Sequence, residues 1–166
     1  MPLDIYTRPM DTGHHDDRSD CSIGRSLDLL GEKWTFLIVR EAWYGIARFA
    51  EFERTLGCAR NLLSDRLHML VAEGILTTEP YREPGSRTRQ RYLLTPKGKE
   101  LLPVLIALRE WGDRHLAGPD GPPVQLDHRD CGGRVTLQLR CSEDHPVGGA
   151  DDLVPSTGGG AALPPT

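Results

Sequence analysis

A mainly α-helical domain with one small β-hairpin, an α+β arrangement, is what this sequence predicts, on three observations. Apolar residues recur at helical spacing in four stretches between residues 20 and 72. Two β-prone runs, "ILTTEP" and "QRYLL", flank a break at Pro84, Gly85 and Ser86, which is the punctuation of a hairpin. Thr95 and Pro96 then open a long apolar segment, with Thr95 as N-cap and Pro96 at the first helical position, where its missing N–H costs nothing.

In "DCSIGRSLDLLG", Asp20 is the expected N-cap, Ile23, Leu27 and Leu30 form one stripe, and Gly31 is the stop. The next stretch, "EKWTFLIVREAWYG", places Trp34, Leu37, Ile38 and Trp43 on a broad apolar face and ends at Gly45. In "FAEFERTLG" the residues spaced for burial are Phe49, Phe52 and Leu56. After a break at "GCAR", "NLLSDRLHMLVAEG" offers Leu63, Leu67, Leu70 and Val71 as its buried stripe. Two helices joined by so short a turn, with Gly57 at the stop, make a helix-turn-helix candidate. The hairpin follows it. The helix from Thr95 runs through "KGKELLPVLIALREWGDRHLAG", where Pro103 predicts a kink or a late start. Its Leu101, Leu102, Val104, Leu105, Ile106, Leu108 and Trp111 cover more of the circumference than one core contact requires. One face therefore calls for a partner, and the expected assembly is a homodimer. Its interface would use Leu102, Leu105, Ile106 and Leu108 of this long C-terminal helix, with Ile23 and Leu27 of the first helix. The order of elements is that of a winged helix-turn-helix.

The 166 residues suffice for one domain with a real core and some length left over. The expected organisation is a flexible acidic arm over 1–20, the winged helix over 21–118, a short Cys-containing extension over 119–147 and a Gly/Pro-rich disordered tail over 148–166. No apolar run approaches a membrane span and the N-terminal stretch lacks the apolar core of a secretory signal, so the expected location is the cytoplasm, with no membrane partner. Net charge is −4, which argues weakly against a nucleic-acid partner, but its distribution reverses the argument. Residues 21–118 hold 15 Lys and Arg against 12 Asp and Glu, and the two ends hold 5 against 12. A mildly basic domain sits between acidic ends, and the local field is what a partner meets.

Arginine is densest in "YREPGSRTRQRY", residues 81–92. Arg87, Arg89 and Arg91 alternate at period 2, so they are expected to project from one face of the returning strand toward a row of phosphates, with Arg82 and Ser86 beside them. The planar guanidinium suits phosphate or a narrow groove. The plainer reading is a hairpin charged for solubility. On the helix before it, Arg60, Asn61, Ser64, Asp65 and His68 carry the donors and acceptors that base edges and phosphates require. Arg66 beside Leu67 suits either a phosphate contact or an internal ion pair. The expected partner is a double-stranded DNA operator.

The stretches "CSIGRSLDLLGEKWTFLIVREAWYGIARFAEFERTLG", "LLSDRLHMLVAEGIL", "RYLLTPKGKELLPVL" and "LREWGDRH" closely resemble the HxlR-type winged-helix transcriptional regulators, over roughly residues 21 to 117. The motifs that carry the resemblance are Gly31 to Trp34, Arg48 to Phe52 and Leu94 to Gly98. It implies a dimeric DNA-binding regulator, a repressor or activator of nearby genes. Family members commonly carry Pro where this chain has Arg60 and a basic residue where it has Asn61, departures that bear on base preference and not on fold.

Cys21 follows the expected cap, where free N–H groups and the helix dipole favour a thiolate while Asp20 opposes it. It also matches the cysteine that HxlR-type thiol-stress sensors carry at the start of their first helix. Sensing of an oxidant or electrophile and a purely structural role both stand. Cys58 reads as a small buried hydrophobe. His128, Cys131, Cys141 and His145 would supply four zinc ligands, yet the paired Cys-x-x-Cys turns of a zinc ribbon are missing. The better expectation is no metal and a hairpin with "RVTLQLRC" as its clearest strand. Trp34, Trp43 and Trp111 are either core or the lining of a cavity for a small-molecule effector. No Cys-x-x-Cys, phosphate loop or acid/base constellation points to an enzyme or a cofactor. A thiol-based redox protein and a winged-helix protein-interaction module are the alternatives, and the basic hairpin disfavours the second.

Overall fold

The computed structural model describes residues 21 to 154. The expected arm over 1–20, Asp20 with it, and the tail beyond 154 lie outside the described residues. The chain packs as two units, Leu29–Leu137 and a smaller one formed by residues 21 to 28 with 138 to 154.

The larger unit begins with the last turn of α1 (Ser22–Leu30), which sends Leu30 into the core. Helix α2 (Lys33–Trp43) buries Thr35, Ile38, Val39 and Glu41, and ends where Gly45 takes a φ of +96°. Helix α3 (Phe49–Leu56) is capped from within, the Glu51 carboxylate accepting the Arg48 N–H at 3.0 Å. It stops at Gly57, in the left-handed region at φ +62°, where any Cβ would be strained. Cys58 and Ala59 complete a turn shorter than the four residues expected, because Arg60 is already the first residue of α4 (Arg60–Ala72). Leu63, Leu67 and Leu70 of α4 are fully buried, each stabilising the fold by about 1.5–3 kcal/mol. Val71, expected with them, is half-buried.

Strands β1 (Leu76–Tyr81) and β2 (Arg89–Leu94) pair antiparallel, from Leu76 opposite Leu94 to Tyr81 opposite Arg89. A third chain segment joins them: the Tyr92 N–H donates to the Ala47 carbonyl at 2.7 Å, and Arg48 bridges to Arg91. Buried Phe52 meets the Tyr92 ring edge-on, centroids 6.5 Å apart, and burial raises the Tyr92 hydroxyl above its usual pKa of 10.0.

Thr95 caps α5 (Pro96–Lys99), its Oγ1 accepting the Gly98 N–H at 3.0 Å and donating to the Gly74 carbonyl at 2.6 Å. At Gly98 a Cβ would stand 2.2 Å from the Ile75 carbonyl oxygen, so the close approach of α5 to β1 requires glycine. The long helix expected from Thr95 is interrupted here, and Pro103 marks the late start that was one of its two expected effects. Helix α6 (Leu102–His115) starts afresh with Pro103 in its first turn, because proline cannot donate the backbone bond that would carry one helix through.

After α6 the chain stays with the larger unit to Leu137, in an irregular turn closed by Val135 N–H to Leu126 O and His128 N–H to Gly133 O, both 2.8 Å. "RVTLQLRC" is not the continuous strand expected. Arg134 makes an isolated bridge to Asp127, and only Leu139–Arg140 (β3) is strand, paired with Pro146–Val147 (β4) in the smaller unit. Alternation gave the segment a strand pattern, but no neighbouring strand follows it along its length and its residues are largely exposed. Among the described residues no helix is long and apolar enough to cross a membrane.

Candidate nucleic-acid interface

At 100° per residue, Arg60, Ser64, His68, Asn61 and Asp65 fall within an arc of about 140° on α4, turned away from the three buried leucines. Helical spacing alone sorts the two sets. Asn61, Asp65 and His68 are exposed and Ser64 half-buried, and their side chains form no hydrogen bond or ion pair with any described residue. Arg60 differs from them. Its guanidinium pairs with Glu53 across the turn at 2.9 Å and lies over the Phe49 ring at 4.7 Å. Arg66 comes within 3.9 Å of the Glu32 carboxylate, which is exposed, so the pairing is a loose surface contact and not the internal ion pair that was one of its two expected roles.

The hairpin arginines do not form the uniform row expected. Arg87 lies in the turn, because β2 begins only at Arg89. Arg91, directly opposite Glu79 in the register, is held by it at 2.6 Å, the cross-strand pairing that opposite charges favour. Arg82 folds back so that its Nε donates to the Ser86 carbonyl at 2.9 Å, and the Ser86 N–H donates to the Glu83 carbonyl at 3.0 Å. Arg87 and Arg89 remain exposed, without a hydrogen bond or ion pair to any described residue. Sequence reasoning missed Arg48. It pairs with Glu83 at 2.8 Å and covers the Tyr81 ring at 4.9 Å, tying the hairpin to the start of α3. With the partners 35 positions apart in the sequence, no local pattern signals it.

Leu30, the buried residues of α2 and α4 and the base of the hairpin share one core, so the free face of α4 and the hairpin belong to one rigid frame. Lys97 adds a tie, its ammonium donating to the Glu73 carbonyl at the end of α4 at 2.6 Å.

The other candidate residues are distributed as follows. Cys21, rather than Asp20, immediately precedes α1, and its sulfur accepts the Gly24 N–H at 3.4 Å. Cys58 is half-buried against the core. Among the described residues the three tryptophans sit in different surroundings. Trp34 and Trp43 are nine residues apart on α2, hence about 180° around the helix and about 13 Å along it, and do not share the broad face expected. Trp43 borders a groove of about 480 Å3 with Val39, Leu94, Lys99, Leu102 and Leu105. Trp34 carries the Lys33 ammonium over its ring at 4.6 Å, and Trp111 is exposed with its ring 5.1 Å from that of His115. His128 Nδ1 and Cys131 Sγ are 3.3 Å apart in the larger unit, whereas Cys141 and His145 belong to the smaller one. Among the described residues no three His, Cys, Asp or Glu side chains are grouped to hold a metal ion.

Of the residues expected at a dimer interface, Ile23, Leu27 and Leu108 are exposed, and Leu102, Leu105 and Ile106 are half-buried. Leu105 packs on the chain's own core. Val104, Leu108 and Trp111, each about half exposed, line up at i, i+4 and i+7 along α6.

The HxlR-like helix-turn-helix family matches residues 29–119. An uncharacterized HTH-type transcriptional regulator of Mycobacterium tuberculosis, Rv3095, is 40% identical over 139 residues, which is 84% of this chain and 87% of that protein. The crystal structure of PA1607, a candidate transcription factor, superposes with a TM-score of 0.72 at 41% identity, covering 81% of this chain and 92% of that one. The redox regulator HypR in its oxidised form superposes with a TM-score of 0.53 at 29% identity, covering 59% of this chain and all of that one.

Proposed function

This chain belongs to the HxlR-like helix-turn-helix family of DNA-binding transcriptional regulators, and from that premise we propose that it acts in the cytoplasm as a homodimer on a double-stranded operator. Helix α4 enters the major groove, with Asn61, Ser64, Asp65 and His68 at base edges and Arg60 at the entry. The wing meets the flanking backbone or minor groove through Arg87 and Arg89. The observation that carries this is the pair of unpartnered arginines on a hairpin built into the same core as a helix whose outer polar face is equally unpartnered. Arg82 and Arg91 shape the wing, and their charges are shared with Ser86 and Glu79.

Fluorescence-anisotropy titrations against the upstream intergenic DNA and an unrelated duplex, over a series of salt concentrations, test the reading. Replacing Arg87 and Arg89 by Ala is expected to weaken binding to both duplexes and to lower the salt slope by about 0.9 for each phosphate no longer neutralised. An unchanged slope would take the wing out of the interface.

The homodimer reading rests on the Val104, Leu108 and Trp111 stripe, with Ile23 and Leu27 as further exposed apolar residues, since apolar side chains aligned on one helix and left to water mark an association surface. A second reading, supported by the position of Cys21 and by the likeness to HypR, makes the Cys21 thiol the receiver of an oxidant or electrophile. Modification there removes the sulfur as acceptor of the Gly24 N–H and loosens the first turn of α1. Cys21→Ser is expected to abolish any change of DNA affinity on mild oxidation. A mutant that still responds would assign the signal elsewhere, with the Trp43 groove as the site for a small effector.

A further inference from the structure

Away from α4 and the wing, the larger unit contains a groove of about 400 Å3 between α6 and the segment that follows it. On the helix side it is lined by Arg109, Glu110, Asp113 and Arg114, and on the other by Pro122, Val124 and Val135, with Arg134 also at its edge. Arg109 and Arg114 are five residues apart, about 140° around α6, and so bracket the groove.

The charges inside it are unevenly matched. Glu110 accepts the Leu137 N–H at 2.9 Å, which fastens the segment to the helix. Arg134 is paired with Asp127 at 3.3 Å. Arg109 has only Asp113, at 3.6 Å, too far for a good hydrogen bond, and its Nε and Nη1 are shut off from solvent with no acceptor. Arg114 is exposed and has neither hydrogen bond nor ion pair with any described residue. Two of the three guanidinium nitrogens are thus withdrawn from water without acceptors, which is costly, while the side chain keeps 21% of its surface exposed and lines the groove, where its remaining nitrogen can meet a ligand.

We propose that this groove binds a small organic carboxylate, its two oxygens taken by Arg109 and Arg114 and its apolar body laid against Pro122, Val124 and Val135. A planar carboxylate matches the donor fork of arginine, and the volume is that of a small-molecule site. The apolar wall separates this ligand from inorganic anions, which would leave it wet. None of these residues lies on α4 or the wing, so binding here stands or falls independently of how DNA is held.

An amide NMR titration of the full chain with hexanoate, hexanamide and inorganic phosphate tests the site. Hexanoate is expected to give saturable shifts confined to residues 109 to 114 and 122 to 136, and R114Q to bind it about tenfold more weakly while keeping the ligand-free spectrum outside its own surroundings. Arg114 is exposed, so that variant decides the matter even where R109Q disturbs the helix. The proposal is overturned by an absence of saturable shifts, by hexanamide or phosphate matching hexanoate, or by wild-type affinity in R114Q.

Discussion

Helices α4 and α6, of 13 and 14 residues, carry equally many large apolar side chains, yet α4 buries three of them completely and α6 buries none. Placement accounts for the difference. In α4 the leucines recur at i, i+4 and i+7 and point into one core. In α6 the apolar residues spread around the axis, so Leu105, with Leu101 just before the helix, reaches the core while Val104, Leu108 and Trp111 face away from it. Hydrophobic content alone therefore does not say how much a helix contributes to its own protomer; the arc over which that content is distributed does.

Substitutions graded along this contrast would sharpen or break it. The largest loss is expected for Leu67→Ala, about 2–5 kcal/mol by urea denaturation, because a fully buried leucine leaves a cavity. Leu105→Ala should cost roughly half as much, since the side chain is only half-buried to begin with. Equal losses at the two positions would erase the distinction between the helices. Leu108→Asp should change the intrinsic stability of the protomer least, within about 0.5 kcal/mol. Its effect would instead be a sedimentation coefficient that falls to that of a monomer and a Tm that no longer depends on protein concentration. An intact dimer would move the seam off α6.

The parts of the fold legible in the sequence are those with short-range causes. Gly57 between two apolar-periodic stretches marks the turn, Pro84 to Ser86 the hairpin, and Thr95-Pro96 the start of α5, each a local conformational preference expressed where it is read. Local spacing also argues against a shared face for Trp34 and Trp43, since a separation of nine residues already sets them on opposite sides of a helix. What escaped was set by distant partners. Whether an arginine is free depends on a carboxylate brought by another element: Glu79 for Arg91, Glu53 for Arg60 and Glu83 for Arg48. The strand pattern of "RVTLQLRC" failed for the same reason in reverse, as alternation supplies a face but not a neighbour.

Gly98 illustrates how a single close contact shapes what mutation can do. The Ile75 carbonyl that a Cβ would strike also accepts the Thr95 N–H at 3.1 Å, so it is held in place at the junction of β1 and α5 and cannot simply retreat. Every amino-acid replacement reachable from a glycine codon by one nucleotide change brings a Cβ, while every third-base change is silent. In genetic terms position 98 is therefore binary, with synonymous drift on one side and a disrupted junction on the other, and no conservative substitution between them.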